Sequence, residues 1–135
     1  MNLKIYTDGA SRGNPGPASY GFVIYDQNQE ILYKEGRAIG TTTNNVAEYN
    51  GVLEALKYVK KKYKKDVFSI ELLADSKLVI EQLLGKYKIK AAHLKPIIVK
   101  IQILGIELGG VIYTHIPRSQ NAIADSLANK ALDSI

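Results

Sequence analysis

The sequence predicts an α/β fold in which a mixed five-stranded sheet, a three-strand antiparallel meander plus parallel strands, is flanked by helices. Alternating apolar and polar residues near the start of the chain indicate strands joined by short connections, as in a meander. Later strand-like runs are separated by stretches of helical apolar spacing, and such alternation indicates right-handed crossovers between parallel strands. The 135 residues are 46% hydrophobic, which suits one core and one domain spanning 1–135.

The predicted elements follow the order β-β-β-α-β-α-α-β-α. After Asp8, three glycines and two prolines within nine residues indicate tight turning. Thr41–Asn45 is typical of a helix start, and we expect Leu78, Leu84 and Ile123 to face the core from the later helices. The predicted strands cover 3–8, 18–25, 30–39, 69–74 and 111–116, and the predicted helices cover 46–63, 76–84, 93–106 and a stretch that begins near 120–122.

Composition narrows the classes of function. The chain has no cysteine, which excludes a disulfide framework and thiolate ligands, and we expect a cytoplasmic protein with no signal peptide and no membrane partner. The net charge of +5 is compatible with a nucleic-acid partner. Much of that charge lies in a lysine cluster at 57–65, and lysines at the end of a helix also complement the helix dipole.

Four acids are predicted to converge at one edge of the sheet. Asp8 and Asp75 end predicted strands, whereas Glu48 and Asp125 lie in the first turns of predicted helices. Each acid also has an ordinary interpretation, since Asp caps turns and acids near a helix start complement the dipole. Sites in such folds lie outside the carboxyl ends of the parallel strands, which is where these positions meet.

Converging carboxylates repel one another unless a cation lies between them. Oxygen ligands without sulfur or paired histidine favour Mg²⁺ or Mn²⁺ over zinc. Two such ions about 4 Å apart stabilise the attacking and leaving oxygens of a phosphoryl displacement. The four acids therefore indicate metal-dependent phosphodiester hydrolysis.

Four short motifs follow one another along nearly the whole chain. They are Thr7–Ser11 with Gly13–Gly16, then Thr42–Asn45 followed by Glu48, then Asp75–Ser76, and last His115 with Asn121, Ala124–Asp125 and Leu127–Ala128. In this order these motifs resemble the first to fourth motifs of type 1 ribonuclease H, and the resemblance covers nearly the whole chain.

The resemblance implies a ribonuclease H-like fold and a two-metal endonuclease that cuts the RNA strand of an RNA–DNA hybrid. Its products would carry 5′-phosphate and 3′-hydroxyl groups. Asp8 would bridge two Mg²⁺ ions, for which Mn²⁺ could substitute, with Asp125 at one ion and Glu48 and Asp75 at the other. We expect a monomer, and cleavage of double-stranded RNA stays open.

The resemblance also implies a proton-relay or product-release role for His115, because an imidazole can both accept and donate a proton. Hybrid recognition requires contacts to the 2′-hydroxyl in a wide, shallow minor groove. Thr43, with Asn14, would hold a phosphate of the DNA strand. The full set of positions that correspond to substrate contacts of the family is Gly9, Ala10, Ser11, Asn14, Thr43, Asn44, Asn45 and Lys77. Turn formation and helix capping are the structural alternatives for these residues.

Two departures from the family pattern stand out. The chain has no tryptophan and no long basic protrusion, only a short connector at 85–96 with lysines at 86, 88, 90 and 95. Lys77 occupies a position where glutamine is familiar in the family.

Two other functions compete with the nuclease: a catalytically silent hybrid- or RNA-binding module, and another nuclease of the same superfold.

Overall fold

The computed structural model describes residues 1–89 and 91–135 and confirms the predicted mixed sheet. Lys90 of the basic connector lies outside the described residues. The strands of the sheet are β1 (Asn2–Ser11), β2 (Gly16–Tyr25), β3 (Ile31–Thr42), β4 (Ser69–Ala74) and β5 (Ile112–His115). Their order across the sheet is β3-β2-β1-β4-β5, with antiparallel pairing among the first three strands of the chain and parallel pairing of β1 with β4 and of β4 with β5.

Helices join the strands in the predicted order. Short helical turns accompany the longer helices. Within the described part of the chain, no helix has the length and apolarity needed to cross a membrane. The helices are α1 (Asn44–Tyr63), α2 (Lys77–Leu83), α3 (Lys95–Glu107) and α4 (Ala122–Asp133), and the short turns are Lys64–Asp66, Ala92–Leu94 and Arg118–Gln120.

The sheet separates two helical layers. Tyr20 and Phe22 of β2 point into the main core, which also contains buried side chains of α1, α2 and α3. Successive side chains of a strand point to opposite faces, so Ser19 points the other way. There its hydroxyl donates to the Ala128 carbonyl of α4 at 2.6 Å. One layer therefore contains α1 to α3, and the opposite layer contains α4.

β1 is longer than the sequence predicts. Its parallel pairing with β4 ends at Thr7 and Ala74, but its antiparallel pairing with β2 continues to Ser11. The turn expected directly after Asp8 is therefore displaced to residues 12–15, where Gly13 has a φ of +106°. Small residues after Asp8 can pair with β2, so composition alone does not reveal where the strand ends.

Three predicted core residues are exposed instead. Leu78 and Leu84 are 44% and 46% exposed, because α2 is only seven residues long and buries mainly Val79, Ile80 and Leu83. Ile123 is 45% exposed because it borders an open groove beside β1. The apolar periodicity therefore overestimates the burial of side chains at the ends of these helices.

Two glycines let the helices approach the sheet at backbone distance. A Cβ atom on Gly9 of β1 would lie 2.4 Å from the backbone nitrogen of Glu48 in α1. A Cβ atom on Gly21 of β2 would lie 2.4 Å from the Ala124 carbonyl oxygen and 2.8 Å from the Ala128 nitrogen in α4. Each helix therefore has a fixed contact point on the sheet close to one of the predicted acids.

The packing predicts that Gly21→Ala destabilises the fold. The added methyl group meets helix backbone, which cannot rotate away, and overpacking of this kind costs about 1–3 kcal/mol. We expect the melting temperature to fall by roughly 3–12 °C. Gly105→Ala in α3 is the matched control, since its nearest neighbour would lie at an ordinary 3.6 Å. Helix propensity favours alanine there, so a fall as large as that of Gly21→Ala would contradict the packing argument.

Candidate active site

Asp8 and Asp75 lie where the parallel β1–β4 ladder ends. The last matched pair is Thr7 and Ala74, and each of these residues is followed directly by one of the two acids. The carboxyl ends of parallel strands meet at one edge of a sheet, so the two carboxyl groups are neighbours. Asp8 is only 9% exposed, and its side chain accepts the Gly9 amide at 2.9 Å.

Glu48 reaches the same edge from α1. It lies in the second turn rather than in the predicted first turn, because the helix begins earlier, at Asn44. The Asn44 side-chain amide donates to Glu48 Oε1 at 2.9 Å. Glu48 Oε2 is buried and has no hydrogen-bond partner in residues 1–89 and 91–135. An unpartnered buried carboxylate oxygen is costly, which makes this position favourable for a cation or a hydrogen-bond donor.

Asp125 approaches from the opposite helical layer, in the first turn of α4 as predicted. The Asn129 side-chain amide donates to Asp125 Oδ1 at 3.2 Å, and an Arg118 guanidinium nitrogen lies 3.9 Å from the same oxygen. Asp125 lies near enough to Asp8 for its charge to raise the pKa of that carboxyl group. Because Glu48 and Asp125 come from different layers, the four acids surround the edge of the sheet.

Burial and neighbouring negative charge raise the pKa values of Asp8 and Glu48. Burial and the neighbouring charges of Asp75 and Asp125 raise the pKa of Asp8 to about 8, although the hydrogen bond from the Gly9 amide lowers it. Burial raises the pKa of Glu48 to about 7, the charge of Asp75 adds to this rise, and the hydrogen bond from Asn44 opposes it. Burial and like charge both penalise a carboxylate, so a nearby cation would be strongly favoured.

The site contains a small depression between Asp8, Glu48 and Asp75. Its volume of about 10 Å³ corresponds to about one water-sized sphere. In the described residues, no group of three or more His, Cys, Asp or Glu side chains is arranged closely enough to hold a metal ion. The all-oxygen donor set and the unpartnered Glu48 oxygen nevertheless fit a hard cation in their chemistry. Ligation would require the carboxylates to move closer together.

Asn121 also belongs to the site, although the sequence identifies it only as part of the fourth motif. It is 1% exposed, and its amide donates to the Thr7 carbonyl at 2.8 Å and to Asp75 Oδ2 at 3.3 Å. The Asn121 side chain therefore ties the start of α4 to the end of the β1–β4 ladder. An asparagine before a helix suggests an N-cap, but this side chain makes no cap hydrogen bond. Only the tertiary contact reveals its position.

Several predicted substrate-contacting residues stabilise the start of α1. The Thr43 hydroxyl accepts the Val46 amide at 3.3 Å, which is an N-cap bond. The Asn14 side chain accepts the Asn44 amide at 3.1 Å and so fixes the glycine-rich loop against the helix. These bonds bring the loop and the helix start together beside Glu48. Asn45 is half-buried at the same helix start.

The remaining predicted residues lie around this edge. Ala10 and Ser11 continue β1 beyond Asp8, paired with β2. Lys77 is exposed, with its ammonium group 3.8 Å from Glu81 Oε1. His115 is the exposed last residue of β5, opposite Ala74, and lies within the strand predicted at 111–116. It therefore stands one strand away from Asp75, at the same edge.

Comparisons with known proteins agree with this architecture. The family model described as "Reverse transcriptase-like" matches residues 6–131. LC11-RNase H1, solved in complex with an RNA/DNA hybrid, is 42% identical with a TM-score of 0.93, covering 98% of this chain and 97% of that chain. RNase H1 of the halophilic archaeon Halobacterium salinarum has a TM-score of 0.93 and is 38% identical, with full coverage of both chains.

Curated relatives extend beyond the matched region. The ribonuclease HI of Halobacterium salinarum is 41% identical over 97% of this chain, which spans 64% of that protein. The bifunctional protein Rv2228c of Mycobacterium tuberculosis is 41% identical over 98% of this chain, which spans 36% of that protein. The family match and the structural agreement place the chain in one group: it belongs to the type 1 ribonuclease H family.

The raised pKa values predict that cation-free protein loses stability as pH rises from about 4 to about 8. The ordinary values are 3.8 for Asp8 and 4.5 for Glu48, whereas the folded values are about 8 and about 7. Within this window the folded state retains protons that the unfolded chain has released, so the free energy of unfolding decreases. Urea titrations in the presence of chelator measure this slope.

Asp8→Asn should remove much of the slope because asparagine does not titrate. Glu30→Gln changes an acid in an exposed turn and is the control that should keep the slope. Stability that rises over this window, or an equal slope in Asp8→Asn, would contradict the electrostatic account.

Proposed function

We propose that this protein is a metal-dependent endonuclease that hydrolyses the RNA strand of RNA–DNA hybrids. Products would carry 5′-phosphate and 3′-hydroxyl groups. The observation that carries the proposal is the junction of Asp8 and Asp75 at the end of the β1–β4 ladder, with the unpartnered Glu48 oxygen beside it. The hybrid in the crystal structure of LC11-RNase H1, which aligns over 98% of this chain, supports the substrate class.

Asp8, Glu48, Asp75 and Asp125 are the residues that would hold divalent cations. Their hard oxygen donors favour Mg²⁺, and Mn²⁺ has similar ligand preferences. When bound, two such ions stabilise negative charge on the attacking and leaving oxygens of a phosphodiester. The proton that Asp8 holds below about pH 8 competes with a cation, so the affinity for the cation should rise with pH.

Asn44 would connect substrate binding to the acid cluster. Its backbone amide is held by Asn14, and its side-chain amide donates to Glu48. We assign minor-groove contacts to Asn14, Asn44 and Asn45, because amide groups supply both donors and acceptors for a 2′-hydroxyl. Thr43 would contact a DNA phosphate. The backbone of Gly9, Ala10 and Ser11, together with Lys77, would complete the substrate contacts.

A cleavage assay tests the activity. Wild-type protein with Mg²⁺ should cut the RNA strand of a labelled hybrid, should leave the equivalent DNA duplex intact, and should be inactive with excess chelator. Duplex RNA in the same assay measures the breadth of the substrate class. Lack of hybrid cleavage at any Mg²⁺ or Mn²⁺ concentration would overturn the proposal in favour of a binding module, whereas cleavage of duplex DNA would indicate another nuclease.

Asp8→Asn should abolish cleavage without unfolding the protein. Charge stabilisation by bound cations contributes several kcal/mol, so we expect kcat to fall by about 10³-fold or more. In chelator the variant should melt at or above the wild-type temperature, because a repelling carboxylate has been removed. Near wild-type cleavage by Asp8→Asn would withdraw Asp8 from the cation site.

His115 is proposed to relay a proton to the leaving 3′-oxygen or to assist release of the product that carries the 5′-phosphate. It lies exposed at the end of β5, beside the strand that ends in Asp75. General acid–base residues typically contribute ~10²–10⁴-fold, and a helper outside the cation shell should contribute less. We expect His115→Ala to lower kcat roughly ten- to a hundred-fold, with KM changed only a few-fold.

The pH dependence of kcat distinguishes this role from a structural one. The dependence of kcat on pH should differ between the variant and the wild type, while the melting temperature stays within a few degrees. His93 is the other histidine of the chain and is also exposed, so His93→Ala is the matched control. Wild-type turnover in His115→Ala would make His115 dispensable for the reaction.

A further inference from the structure

A second concave surface lies between the carboxyl-terminal half of α1 and α3. We refer to it as the lysine cleft. It has a volume of about 530 Å³, and its floor is apolar, formed by Leu53, Ile103 and Leu104. Lysines surround that floor from both helices: Lys57, Lys60, Lys61, Lys64 and Lys100.

The lysines of this cleft are only partly neutralised. Lys60 pairs with Glu107 at 2.5 Å across the two helices, and Lys57 pairs with Glu54 at 3.1 Å along α1. In residues 1–89 and 91–135, Lys61, Lys64 and Lys100 form no ion pair within 4.0 Å. The cleft therefore keeps uncompensated positive charge around an apolar floor.

The floor distinguishes protein from nucleic acid as the ligand. Ile103 is 51% exposed, and the alkyl stems of the lysines add further apolar surface around it. A sugar–phosphate backbone would satisfy the ammonium groups but would leave Ile103 without an apolar partner, whereas Leu53 and Leu104 are already buried. A polypeptide with carboxylates beside a large apolar side chain satisfies both parts of the cleft.

The cleft lies far from the candidate active site along α1. Lys60 follows Glu48 by twelve residues, which is about 18 Å of helix rise. A second copy of this chain is a poor occupant, because its net charge of +5 would repel the cleft. The occupant is therefore expected to be a different, acidic protein, bound without covering the four acids.

We propose that the lysine cleft docks an acidic segment of another protein, which places a large apolar side chain on the Leu53–Ile103–Leu104 floor and carboxylates against Lys61, Lys64 and Lys100. Docking at this end of α1 does not depend on the proposed nuclease activity. It would recruit the protein to a partner while the edge of the sheet stays accessible.

A designed probe tests the docking. A short synthetic peptide rich in aspartate, with one phenylalanine and a fluorescent label, should bind the full chain with micromolar affinity at low salt. An analogue with asparagine for aspartate, and one with serine for phenylalanine, should each bind about tenfold more weakly. Single-stranded DNA of similar charge should not displace the labelled peptide from the cleft. Amide chemical shifts of α1 and α3 should change when the peptide is added.

Variants of equal charge locate the binding surface. Lys61→Ala with Lys64→Ala removes two cleft lysines, whereas Lys62→Ala with Lys65→Ala removes two lysines at the same end of α1 that do not line the cleft. We expect the first pair to weaken peptide binding about tenfold and the second pair less than about threefold. Ile103→Ser should weaken binding similarly, while Ile106→Ser, 79% exposed and outside the cleft, should not.

Several outcomes would overturn the proposal. They are no binding at millimolar peptide, equal losses in both lysine pairs, unimpaired binding of the serine analogue, or displacement of the peptide by DNA. The hybrid-cleavage rate of the same variants is measured separately. Loss of docking with intact cleavage, or of cleavage with intact docking, separates this proposal from the nuclease assignment.

Discussion

The register of β1 is the constraint on which the rest of the structure depends. β1 is paired on both sides, parallel to β4 up to Thr7 and antiparallel to β2 up to Ser11. A slip of one residue would turn every β1 side chain to the other face of the sheet. Asp8 would then leave the edge that it shares with Asp75, and Gly9 would no longer lie where α1 needs a residue without a side chain.

The apolar core maintains the register of β1, whereas the buried acids of the site destabilise the fold. Ile5, Phe22 and Leu72 are fully buried, so slippage would expose large side chains. The acid cluster works against the fold, because burial and mutual repulsion raise the pKa values of Asp8 and Glu48. A stable core tolerates this repulsion, which a cation at the site would relieve.

Much of this architecture could be predicted from the sequence because its signals are local. The bounds of β4 at 69–74 are correct, since both ends of its apolar run are marked by polar residues. The predicted cap also marks the start of α1, where the Thr43 hydroxyl accepts a helix amide. The four acids lie around one edge because strand ends and helix starts are local features that the topology brings together.

The features that the sequence does not reveal are those that depend on a neighbour in space. β1 continues to Ser11 because β2 offers a partner, and nothing in the composition after Asp8 reports that partner. Asn121 bonds to Thr7 of a distant strand instead of capping its own helix. The pKa of Asp8 likewise depends on burial and on acids that are remote in sequence.

The lysines of α1 show how one sequence pattern can need two explanations. Lys60, Lys61 and Lys62 lie in the last turn of α1, where cations complement the helix dipole, and this accounts for them as a charge run. The dipole of α1 does not account for Lys100, which comes from α3, or for the half-exposed Ile103 beside it. Charge converging from two helices onto an apolar floor requires an explanation that the helix terminus alone does not give. The carboxyl end of α1 is therefore better understood as a surface for a second molecule, at the opposite end of the helix from Glu48.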